Sequence, residues 1–402
     1  MKRDTTFWTS KHASKPPTDA QETETAALSD TVLPKDHHKR LMESLKETDQ
    51  LALLKRFTLD FHADPDLASL SEEQAQFFYE RGFLPEKARL YGLNRDNIDI
   101  YLSDVQRWLT RLVNGSYSVV FNNKILFDQV FGQYCNVPRT VAVCRQGRVI
   151  PHTDLWQQIE AGQAGPLMLV AKPLGGGGGG SVYFIRIDKR HAVVETNDTT
   201  NPRFSVKAEA LGEVFSRQRV PFIINEYVQQ GEFSKRLYPL TVNTIRALVV
   251  RNATTGEPYL VRAVLRVGNS ESYPIDNFSL GGLSIEVNKE TGELGHAVAA
   301  AGRFTGQSWA VHPDTGERIT GAYIPSWQAH KNKLLTLFNK LPYLKYCGFD
   351  LILQDDDFVV LEGNSYSQVR LFQMHKPLLL DKEYVRFLKE KGLLDRGKVT
   401  VF

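Results

Sequence analysis

A run of six glycines at positions 175–180 is the part of the chain whose composition most clearly suggests chemistry. It lies between two apolar segments, residues 167–174 and 181–185, and Lys172 stands near the end of the first segment. Glycine allows the backbone to approach a ligand closely and to point N–H groups at an anion. Because a lysine stands beside this loop, we interpret the segment as a phosphate-binding loop.

Two well-known phosphate loops fit this segment poorly. The Walker loop requires lysine and then serine or threonine where a helix begins, but Ser181 and Val182 follow the last glycine here. The dinucleotide fingerprint G-x-G-x-x-G is matched by Gly175, Gly177 and Gly180, yet it must also open a helix. The β-branched and aromatic residues that follow predict a strand instead.

A β-hairpin lid, whose glycine tip folds over the phosphates of ATP, fits both flanking strands and Lys172. A flexible low-complexity linker is the alternative to every phosphate-binding interpretation. Six glycines are more than a lid of this kind needs. The length therefore predicts an unusually mobile lid.

A second group of polar residues stands at the ends of two predicted strands near the C-terminus. Asp350 begins the first, and Glu362 and Asn364 end the second. In a hairpin these ends meet at one edge, and residues two apart share a face. Carboxylate and amide oxygens suit Mg²⁺, and the two carboxylates would repel without a cation between them. The alternative is that these polar residues align without a ligand.

A third feature is the apolar run 222–228, which ends in polar residues. The backbone there could hydrogen-bond an adenine edge, with Glu226 accepting from the adenine amino group and Glu232 holding ribose hydroxyls. Either glutamate taken alone is more simply explained as a solvated loop residue. The combination with a phosphate loop is what makes a nucleotide site the better hypothesis.

The elements that must position these groups fall into four parts. Residues 1–35 are polar and predict a mobile tail. Residues 36–115 predict helices, with a capping box at Ser71 and apolar faces best explained by core packing, although this region could form one wall of a substrate site. Residues 116–232, with a strand at 117–121 and a helix at 123–131, carry the glycine lid, and residues 233–402 carry the metal hairpin.

The composition excludes several classes of partner. The chain has 402 residues, 42% of them hydrophobic, and a net charge of +3, which is too small to indicate nucleic acid or an acidic membrane surface. Its three cysteines form neither a disulfide framework nor a zinc site and indicate a reducing compartment. We find no apolar run long enough for a membrane span and no signal region, so we expect a cytoplasmic protein.

The order of these features resembles the ATP-grasp superfamily over residues 117–375. The shared features are an Asn-Lys helix before a Val-Pro turn, a strand lysine with a glycine lid, a Glu-x-Val segment with a downstream glutamate, and an Asp…Glu-x-Asn hairpin. Residues 242–246, 277–282 and 312–327 are similar to the sugar-transfer-associated ATP-grasp group, related to α-L-glutamate ligases. The resemblance implies an α+β fold that holds the nucleotide between two α+β subdomains, with an N-terminal helical region.

The resemblance also implies roles for individual residues. Lys124 and Lys172 correspond to lysines on the nucleotide phosphates, and Asp350, Glu362 and Asn364 to the Mg²⁺ ligands. Glu226 and Val228 correspond to the adenine contacts, and Glu232 to the ribose contact. The tip of the lid, over the β- and γ-phosphates, corresponds to Gly176, Gly177, Gly178, Gly179, Gly180 and Ser181.

The chain departs from the D-alanine–D-alanine ligases at one position. Those enzymes have an arginine two residues before the metal aspartate, where this chain has Gly348. Arg246 is our candidate for the missing cation on the acyl phosphate, although it could equally be a structural ion-pair partner. Arg266 and Arg370 are weaker candidates.

We therefore expect an ATP- and Mg²⁺-dependent ligase, with Arg246 and Lys172 as catalytic residues. It would activate a small-molecule carboxylate as an acyl phosphate for attack by an amine, in cell-surface polysaccharide or sugar-conjugate biosynthesis. One alternative is a phosphotransferase that acts on a sugar or polyol hydroxyl. Another is a non-catalytic nucleotide-binding partner of a glycosyl-transfer complex. Neither the substrates nor the oligomeric state follows from the sequence.

Overall fold

The computed structural model describes residues 36–47, 50–175, 182–196 and 202–394. The tail predicted at 1–35 and the predicted lid tip, Gly176–Gly180 with Ser181, lie outside the described residues. Within the described parts the chain is α+β, with a helical N-terminal region followed by two antiparallel sheets. This architecture agrees with the predicted fold class.

The N-terminal region contains short helices, two of which begin at serine capping boxes. The predicted capping box is present: the Ser71 backbone N–H donates to Gln74 Oε1 at 3.0 Å, and the Gln74 N–H donates to Ser71 Oγ at 3.2 Å. Ser103 and Gln106 form a second box of the same kind. The helices are α1 (His37–Glu47), α2 (Leu51–Ala63), α3 (Glu72–Glu80), α4 (Glu86–Tyr91) and α5 (Asp104–Leu109), with 3₁₀ turns at Pro65–Ser69, Ile98–Ile100 and Thr110–Leu112.

The first sheet is built from residues 140–226 in the order β2-β1-β7-β3-β4-β5-β6. Strands β3 and β4 are antiparallel neighbours on either side of the glycine run, as predicted. Along β3, Leu169 and Ala171 face the core, whereas Val170 and Lys172 face the opposite side. The strands are β1 (Thr140–Arg145), β2 (Arg148–Pro151), β3 (Leu167–Pro173), β4 (Tyr183–Asp188), β5 (His191–Thr196), β6 (Arg203–Lys207) and β7 (Phe222–Glu226).

The second sheet is built from residues 244–364 in the order β12-β11-β10-β9-β8-β13-β14. Every residue of β13 is buried, because the strand lies between β8 and β14 and both faces of the sheet are covered. The strands are β8 (Thr244–Arg251), β9 (Pro258–Val267), β10 (Leu283–Val287), β11 (Leu294–Val298), β12 (Ser308–Trp309), β13 (Tyr346–Leu353) and β14 (Phe358–Asn364).

The N-terminal helices share one hydrophobic core with the second sheet. Phe57 and Trp108 belong to the same cluster of buried side chains as Leu248 and Val250 of β8. Because residues two apart on a strand share a face, these β8 side chains lie on the same face as Arg246. The helical region therefore covers the face of the second sheet that carries the charged residues.

The remaining helices connect the strands or cover the sheets. The strand predicted at 117–121 is wrong: a 3₁₀ turn at Gly115–Ser118 runs into a helix at Val119–Asn122. Packing of Phe121 against Phe127 and Phe131 overrides the β-propensity of this segment. The helices are α6 (Val119–Asn122), α7 (Lys124–Phe131), α8 (Asp154–Glu160), α9 (Leu211–Ser216), α10 (Glu232–Leu237), α11 (Trp327–Asn339), α12 (Arg370–Gln373) and α13 (Lys382–Glu390), with 3₁₀ turns at Ala208–Ala210, Phe278–Leu280 and Leu378–Leu380.

None of the helices in the described ranges is long and apolar enough to cross a membrane.

Candidate functional site

A cavity of about 650 Å³ lies where the two sheets face each other. This volume is in the range typical of sites for small molecules. Its walls come from both sheets, the α6–α7 segment, the loop before Phe278, helix α5 and the chain that follows β14. Most of the predicted site residues line it together: Lys124, Lys172, Glu226, Val228, Arg246, Asp350, Glu362 and Asn364.

The two lysines are brought together by the junction of α7 and β3. Asn123 caps α7, because its Oδ1 accepts hydrogen bonds from the N–H groups of Ile125 at 3.0 Å and Leu126 at 3.2 Å. The Lys124 backbone N–H donates to Leu174 O at 3.3 Å, just beyond the end of β3. This bond holds the first turn of α7 next to Lys172 and the start of the glycine run.

The electrostatic surroundings of Lys172 favour an incoming anion. Burial lowers the pKa of Lys172, Glu362 acts against this shift, and the neighbouring Lys124 adds to it. Among the described residues, no carboxylate lies at ion-pair distance from the Lys172 ammonium group. Binding a phosphate would supply the counter-charge and raise this pKa again.

One end of the cavity suits a flat apolar ring. Its walls there are apolar. The hinge between β7 and α10 supplies a backbone donor, because the Val228 N–H donates no hydrogen bond to any residue that the structure describes and is available to a ligand. Glu226 stands beside it, half-exposed, and accepts from Arg139 Nη1 at 3.2 Å. The apolar side chains are Val170, Phe184, Tyr227, Ile352 and Leu361.

The structure does not bring Glu232 into this cavity. Its backbone N–H donates to Asp355 Oδ1 at 2.7 Å, and its carboxylate accepts from Lys235 at 3.0 Å. Helix α10 begins at this residue and turns the side chain towards a separate, smaller pocket next to Gln354. The predicted ribose contact is therefore not supported by this geometry.

Three charged residues lie in one row across the second sheet. Arg246 of β8 is directly opposite Asp350 of β13, and Asp350 is directly opposite Glu362 of β14. A β-bulge at Leu361 makes this alignment possible, because Leu351 pairs with Val360 and the next pair skips one residue. Without the bulge, Glu362 would share the core-facing side with Val360.

Asp350 is buried and is held by two arginines. Arg246 donates to both carboxylate oxygens, with Nη2 to Oδ2 at 2.8 Å, and Arg266 Nη1 lies 3.4 Å from Oδ2. Burial alone would raise the pKa of Asp350, but Arg246 and then Arg266 outweigh it and hold the pKa below its ordinary value. The carboxylate is therefore ionised and charge-compensated within the protein.

Arg266 is in turn held by Asp276, which precedes the loop at Phe278. Arg266 Nη2 donates to Asp276 Oδ1 at 2.8 Å, and the Thr244 N–H donates to the other oxygen at 3.0 Å. Burial would lower the pKa of Arg266, but Asp276 and Asp350 together raise it. Sequence reasoning did not identify Asp276, since its partners come from distant strands.

Gly348 and Gly363 show why the metal hairpin contains glycine. A Cβ at Gly348 would lie 2.3 Å from Ser367 Oγ, so a larger side chain has no room at this position. A Cβ at Gly363 would lie 2.6 Å from the ring of Phe121. Strand β14 therefore packs tightly against α6 through this glycine, with Glu362 and Asn364 on either side of it.

Glu362 and Asn364 present oxygen atoms suited to a divalent cation. Asn364 Nδ2 donates to Gly348 O at 3.2 Å, which leaves Oδ1 as the group that points away from the strand. Asp350 Oδ1 accepts from Arg246 Nε and retains a second lone pair, whereas Oδ2 accepts from both arginines. The donor set of two carboxylates and one amide oxygen matches the preference of Mg²⁺.

Arg107 is a cavity residue that sequence reasoning missed. It belongs to α5 in the helical region, where the amphipathic pattern indicated only core packing. Its Nε donates to Ser367 O at 2.9 Å and its Nη1 to Tyr366 Oη at 2.7 Å. Nothing in the local sequence separates Arg107 from the exposed Arg111, because the contacts that place it are about 260 residues away.

The weaker candidate Arg370 is not a wall residue of this cavity. It donates to Glu86 Oε2 at 2.8 Å and to Ser279 Oγ at 2.9 Å. This ion pair joins α12 to α4. Arg370 therefore connects the helical region to the rest of the protein.

Comparisons with known proteins agree on the broad class. A family model described as "Sugar-transfer associated ATP-grasp" matches residues 105–384. A search of curated protein sequences finds no match.

Several solved structures are similar at 11% identity. L-amino acid ligase from Bacillus licheniformis matches 70% of this chain and 51% of its own, with a TM-score of 0.36. D-alanine–D-alanine ligase from Bacillus anthracis, complexed with ATP, matches 67% and 68%, with a TM-score of 0.31. Biotin carboxylase from Campylobacter jejuni matches 71% and 48%, with a TM-score of 0.36. The chain thus spans about half the length of the first and third of these proteins.

Proposed function

The chain belongs to the sugar-transfer associated ATP-grasp family, and from this premise we propose that it is an ATP- and Mg²⁺-dependent carboxylate–amine ligase. The family assignment and the ATP-grasp fold agree with the resemblance in the sequence. The substrate class and the role in cell-surface polysaccharide or sugar-conjugate biosynthesis are parts of the proposal.

The observation that carries the proposal is the convergence of cations and oxygen ligands in one cavity. Lys124 and Lys172 reach it from the first sheet and its adjoining helix, and Asp350, Glu362 and Asn364 reach it from the second sheet. The two lysines repel each other without an anion between them, whereas Arg246 and Arg266 already compensate Asp350. An ATP–Mg²⁺ complex would supply phosphates for the lysines and a cation for the oxygens of Glu362 and Asn364.

Each group has a task that its surroundings support. Lys124 and Lys172 would bind the phosphates, and the Val228 backbone with Glu226 would hold the adenine edge. Glu362 and Asn364, with Asp350 behind them, would hold Mg²⁺. When bound, this ion would neutralise phosphate charge and orient the transferring group.

The proposed reaction transfers the γ-phosphoryl group of ATP to a substrate carboxylate oxygen, releasing ADP. The amine then attacks the acyl carbon of the acyl phosphate and releases inorganic phosphate. Lys172 is the proposed catalytic cation, since positive charge stabilises the charge that develops in these steps. Arg246, the other catalytic candidate, bonds both oxygens of Asp350 and would act by holding that carboxylate beside the reacting phosphate. A lid formed by Gly176–Gly180 and Ser181 would exclude water from the acyl phosphate.

A phosphotransferase is a second candidate, favoured by polar side chains in the cavity wall. Asn277, Ser279 and Gln368 are among the wall residues and carry groups that hydrogen-bond sugar hydroxyls. The product distinguishes the two reactions. A ligase releases free phosphate only when carboxylate and amine are both present, whereas a phosphotransferase leaves the phosphate on its product.

The experiment that tests the proposal measures Mg-ATP binding first and turnover second. We expect Mg-ATP to raise the melting temperature of the purified protein, because a ligand that binds only the folded state stabilises it. The double variant Glu362→Ala/Asn364→Ala should lose the Mg²⁺-dependent part of this rise. Glu209 is exposed and lies just after β6, outside the cavity, so Glu209→Ala should retain the Mg²⁺-dependent rise.

Turnover is then followed as release of ADP and phosphate with mixtures of carboxylates, amines and sugars. Phosphate release that requires both a carboxylate and an amine supports the ligase. No stabilisation of the wild-type protein by any nucleotide with Mg²⁺ would contradict ATP binding altogether. Binding without turnover in any mixture would instead favour a non-catalytic nucleotide-binding protein.

A further inference from the structure

Four arginines lie in the wall of the cavity or beside it, and they differ in whether a carboxylate compensates their charge. Three of them bond carboxylates, namely Arg246 with Asp350, Arg266 with Asp276 and Arg370 with Glu86. Arg107 is different: among the residues the structure describes, no carboxylate lies at ion-pair distance from its guanidinium group. Its nearest acidic neighbour along α5, Asp104, pairs with Lys87 at 3.3 Å instead.

Neutral groups fix the orientation of Arg107. Its Nε and Nη1 donate to the Ser367 carbonyl and to the Tyr366 hydroxyl, and the guanidinium carbon lies 3.7 Å from the centre of the Tyr366 ring. Nη2 donates no hydrogen bond within the described ranges. The side chain is thus ordered by its surroundings while its charge remains uncompensated.

A partly buried guanidinium without a counter-charge costs free energy that an anionic ligand would recover. The planar fork of arginine matches carboxylate and phosphate oxygens in geometry. Because Tyr366 and Ser367 already hold the side chain, little side-chain entropy remains to be lost on binding. These are the properties of a preorganised anion-binding group.

The position of Arg107 assigns it to the acceptor end of the cavity. Tyr366 follows Asn364 by two residues, so the guanidinium lies near the proposed metal ligands. Of the apolar walls that suit adenine, Val170, Phe184 and Tyr227 come from β3, β4 and the hinge after β7. Ile352 and Leu361 complete them from the part of the β13–β14 hairpin nearer its turn, whereas Tyr366 lies beyond Asn364, away from that turn. The proposed phosphate lysines, Lys124 and Lys172, come from α7 and β3.

We propose that Arg107 binds an anionic group, a carboxylate or a phosphate, on the substrate that ATP activates. The inference rests on the proposed function, because it places this substrate in the same cavity as the nucleotide. It adds which residue binds an anionic group of this substrate and that the helical N-terminal region helps to select it. A neutral sugar or amine would leave the charge of Arg107 uncompensated.

The test compares four proteins: the wild type, Arg107→Gln, Arg107→Lys and Arg111→Gln. Arg111 is exposed, lies one turn further along and does not line the cavity, so its replacement is the matched loss of charge. Each protein is saturated with Mg-ADP and titrated with D-glucuronate, L-glutamate, glucose 6-phosphate and, as a neutral control, D-glucose. Melting temperature and calorimetry report binding, and the Mg-ADP titration itself reports an intact fold.

We expect at least one acidic probe to bind the wild type and Arg111→Gln more tightly than D-glucose does. Arg107→Gln should weaken that binding at least about tenfold, with Mg-ADP affinity unchanged. Arg107→Lys should recover part of it, since lysine keeps the charge but loses the fork. Preference between glucose 6-phosphate and the two carboxylates identifies the anion.

Equal binding of the acidic probes by wild type and Arg107→Gln would overturn the inference, as would a wild type that binds no acidic probe better than D-glucose. Failure of the wild type to bind Mg-ADP would count against the proposed function instead. The two failures are therefore distinguishable in one set of titrations.

Discussion

The lysines and the paired arginines of the cavity carry the same charge in opposite surroundings. Lys172 reaches the cavity from the end of a strand in the first sheet, where burial lowers its pKa. Arg246 and Arg266 lie within the second sheet, and each donates to buried carboxylates. The charge of Lys172 is available to a ligand, whereas the charges of these arginines already stabilise the protein.

Residue type alone therefore does not reveal whether a positively charged side chain binds a ligand or stabilises the fold. Lysine is a point charge on a flexible stem, and arginine is a planar fork suited to fixed carboxylates. Loss of the arginine row should therefore reduce stability, and loss of the lysine should reduce nucleotide affinity.

The replacement Asp350→Asn should have the largest effect. It leaves Arg246 without its buried counter-charge, which costs about 3–5 kcal/mol in free energy of unfolding. Urea denaturation followed by circular dichroism measures this. The double variant Arg246→Met/Asp350→Leu should recover part of the loss, because it leaves no orphaned charge at this pair. A loss below about 1 kcal/mol for Asp350→Asn would show that the row does not stabilise the sheet.

The replacement Lys172→Gln should act on the ligand rather than on the fold. Removing a charged donor to phosphate costs about 1.5–3 kcal/mol of binding free energy, which raises the Kd for Mg-ATP by about ten- to 150-fold. The free energy of unfolding should stay the same or rise, since burial disfavours the charged amine. Lys207→Gln, an exposed lysine of β6 in the same sheet, is the control and should leave the Kd unchanged.

His375 extends the comparison to a partly buried basic group without a carboxylate partner in the described structure. Burial lowers its pKa to about 3, Arg262 adds to the shift, and its Nε2 lies 3.0 Å from Ser284 Oγ. The folded state holds the neutral ring, so stability is unaffected above about pH 6.5 and falls as the pH drops towards 3. We expect a loss of about 2 kcal/mol by pH 5 from this group.

Denaturation between pH 7 and pH 4 measures this dependence. His375→Gln should flatten the curve over that interval. His62→Gln replaces an exposed histidine and should leave the curve unchanged. An identical curve for wild type and His375→Gln would show that this ring is protonated without cost in the folded state.

The smallest expected effect concerns a hydrogen bond between the part of the chain that forms the second sheet and the part that forms the first sheet. Tyr273, from the loop after β9, donates to Glu195 Oε2 of β5 at 2.9 Å. Tyr273→Phe removes one solvent-accessible hydrogen bond and should cost at most about 1 kcal/mol of stability. Thermal unfolding with and without Mg-ATP checks this. A larger loss of stability confined to the nucleotide-bound form would show that this hydrogen bond holds the two sheets together around the ligand.

Much of the fold could be predicted from the sequence because it rests on local patterns. The strands on either side of the glycine run, the capping box at Ser71 and the hairpin that contains Asp350 follow from period-two alternation, capping residues and turn residues. The segment 117–121 did not, since its β-branched residues pack as a helix against the aromatic rings of α7. Tertiary packing overrode propensity there.

The site divides in the same way. The sequence identified Lys124, Lys172, Glu362 and Asn364 as a group because family motifs place them, and all four line one cavity. Glu232, predicted with them, lines another pocket instead, and Arg107, which the sequence did not suggest, lines the cavity. Both placements depend on contacts between residues more than 100 positions apart.

Helix starts, strand segments and turns could be located from the amino-acid sequence alone, because these properties depend on neighbours a few residues away. Only the tertiary structure decided the face on which Glu362 lies, through the bulge at Leu361, and which arginines have carboxylate partners. Strand register and burial bring distant charges within a few ångströms. Whether such charges cancel each other or remain for a ligand is settled by that proximity.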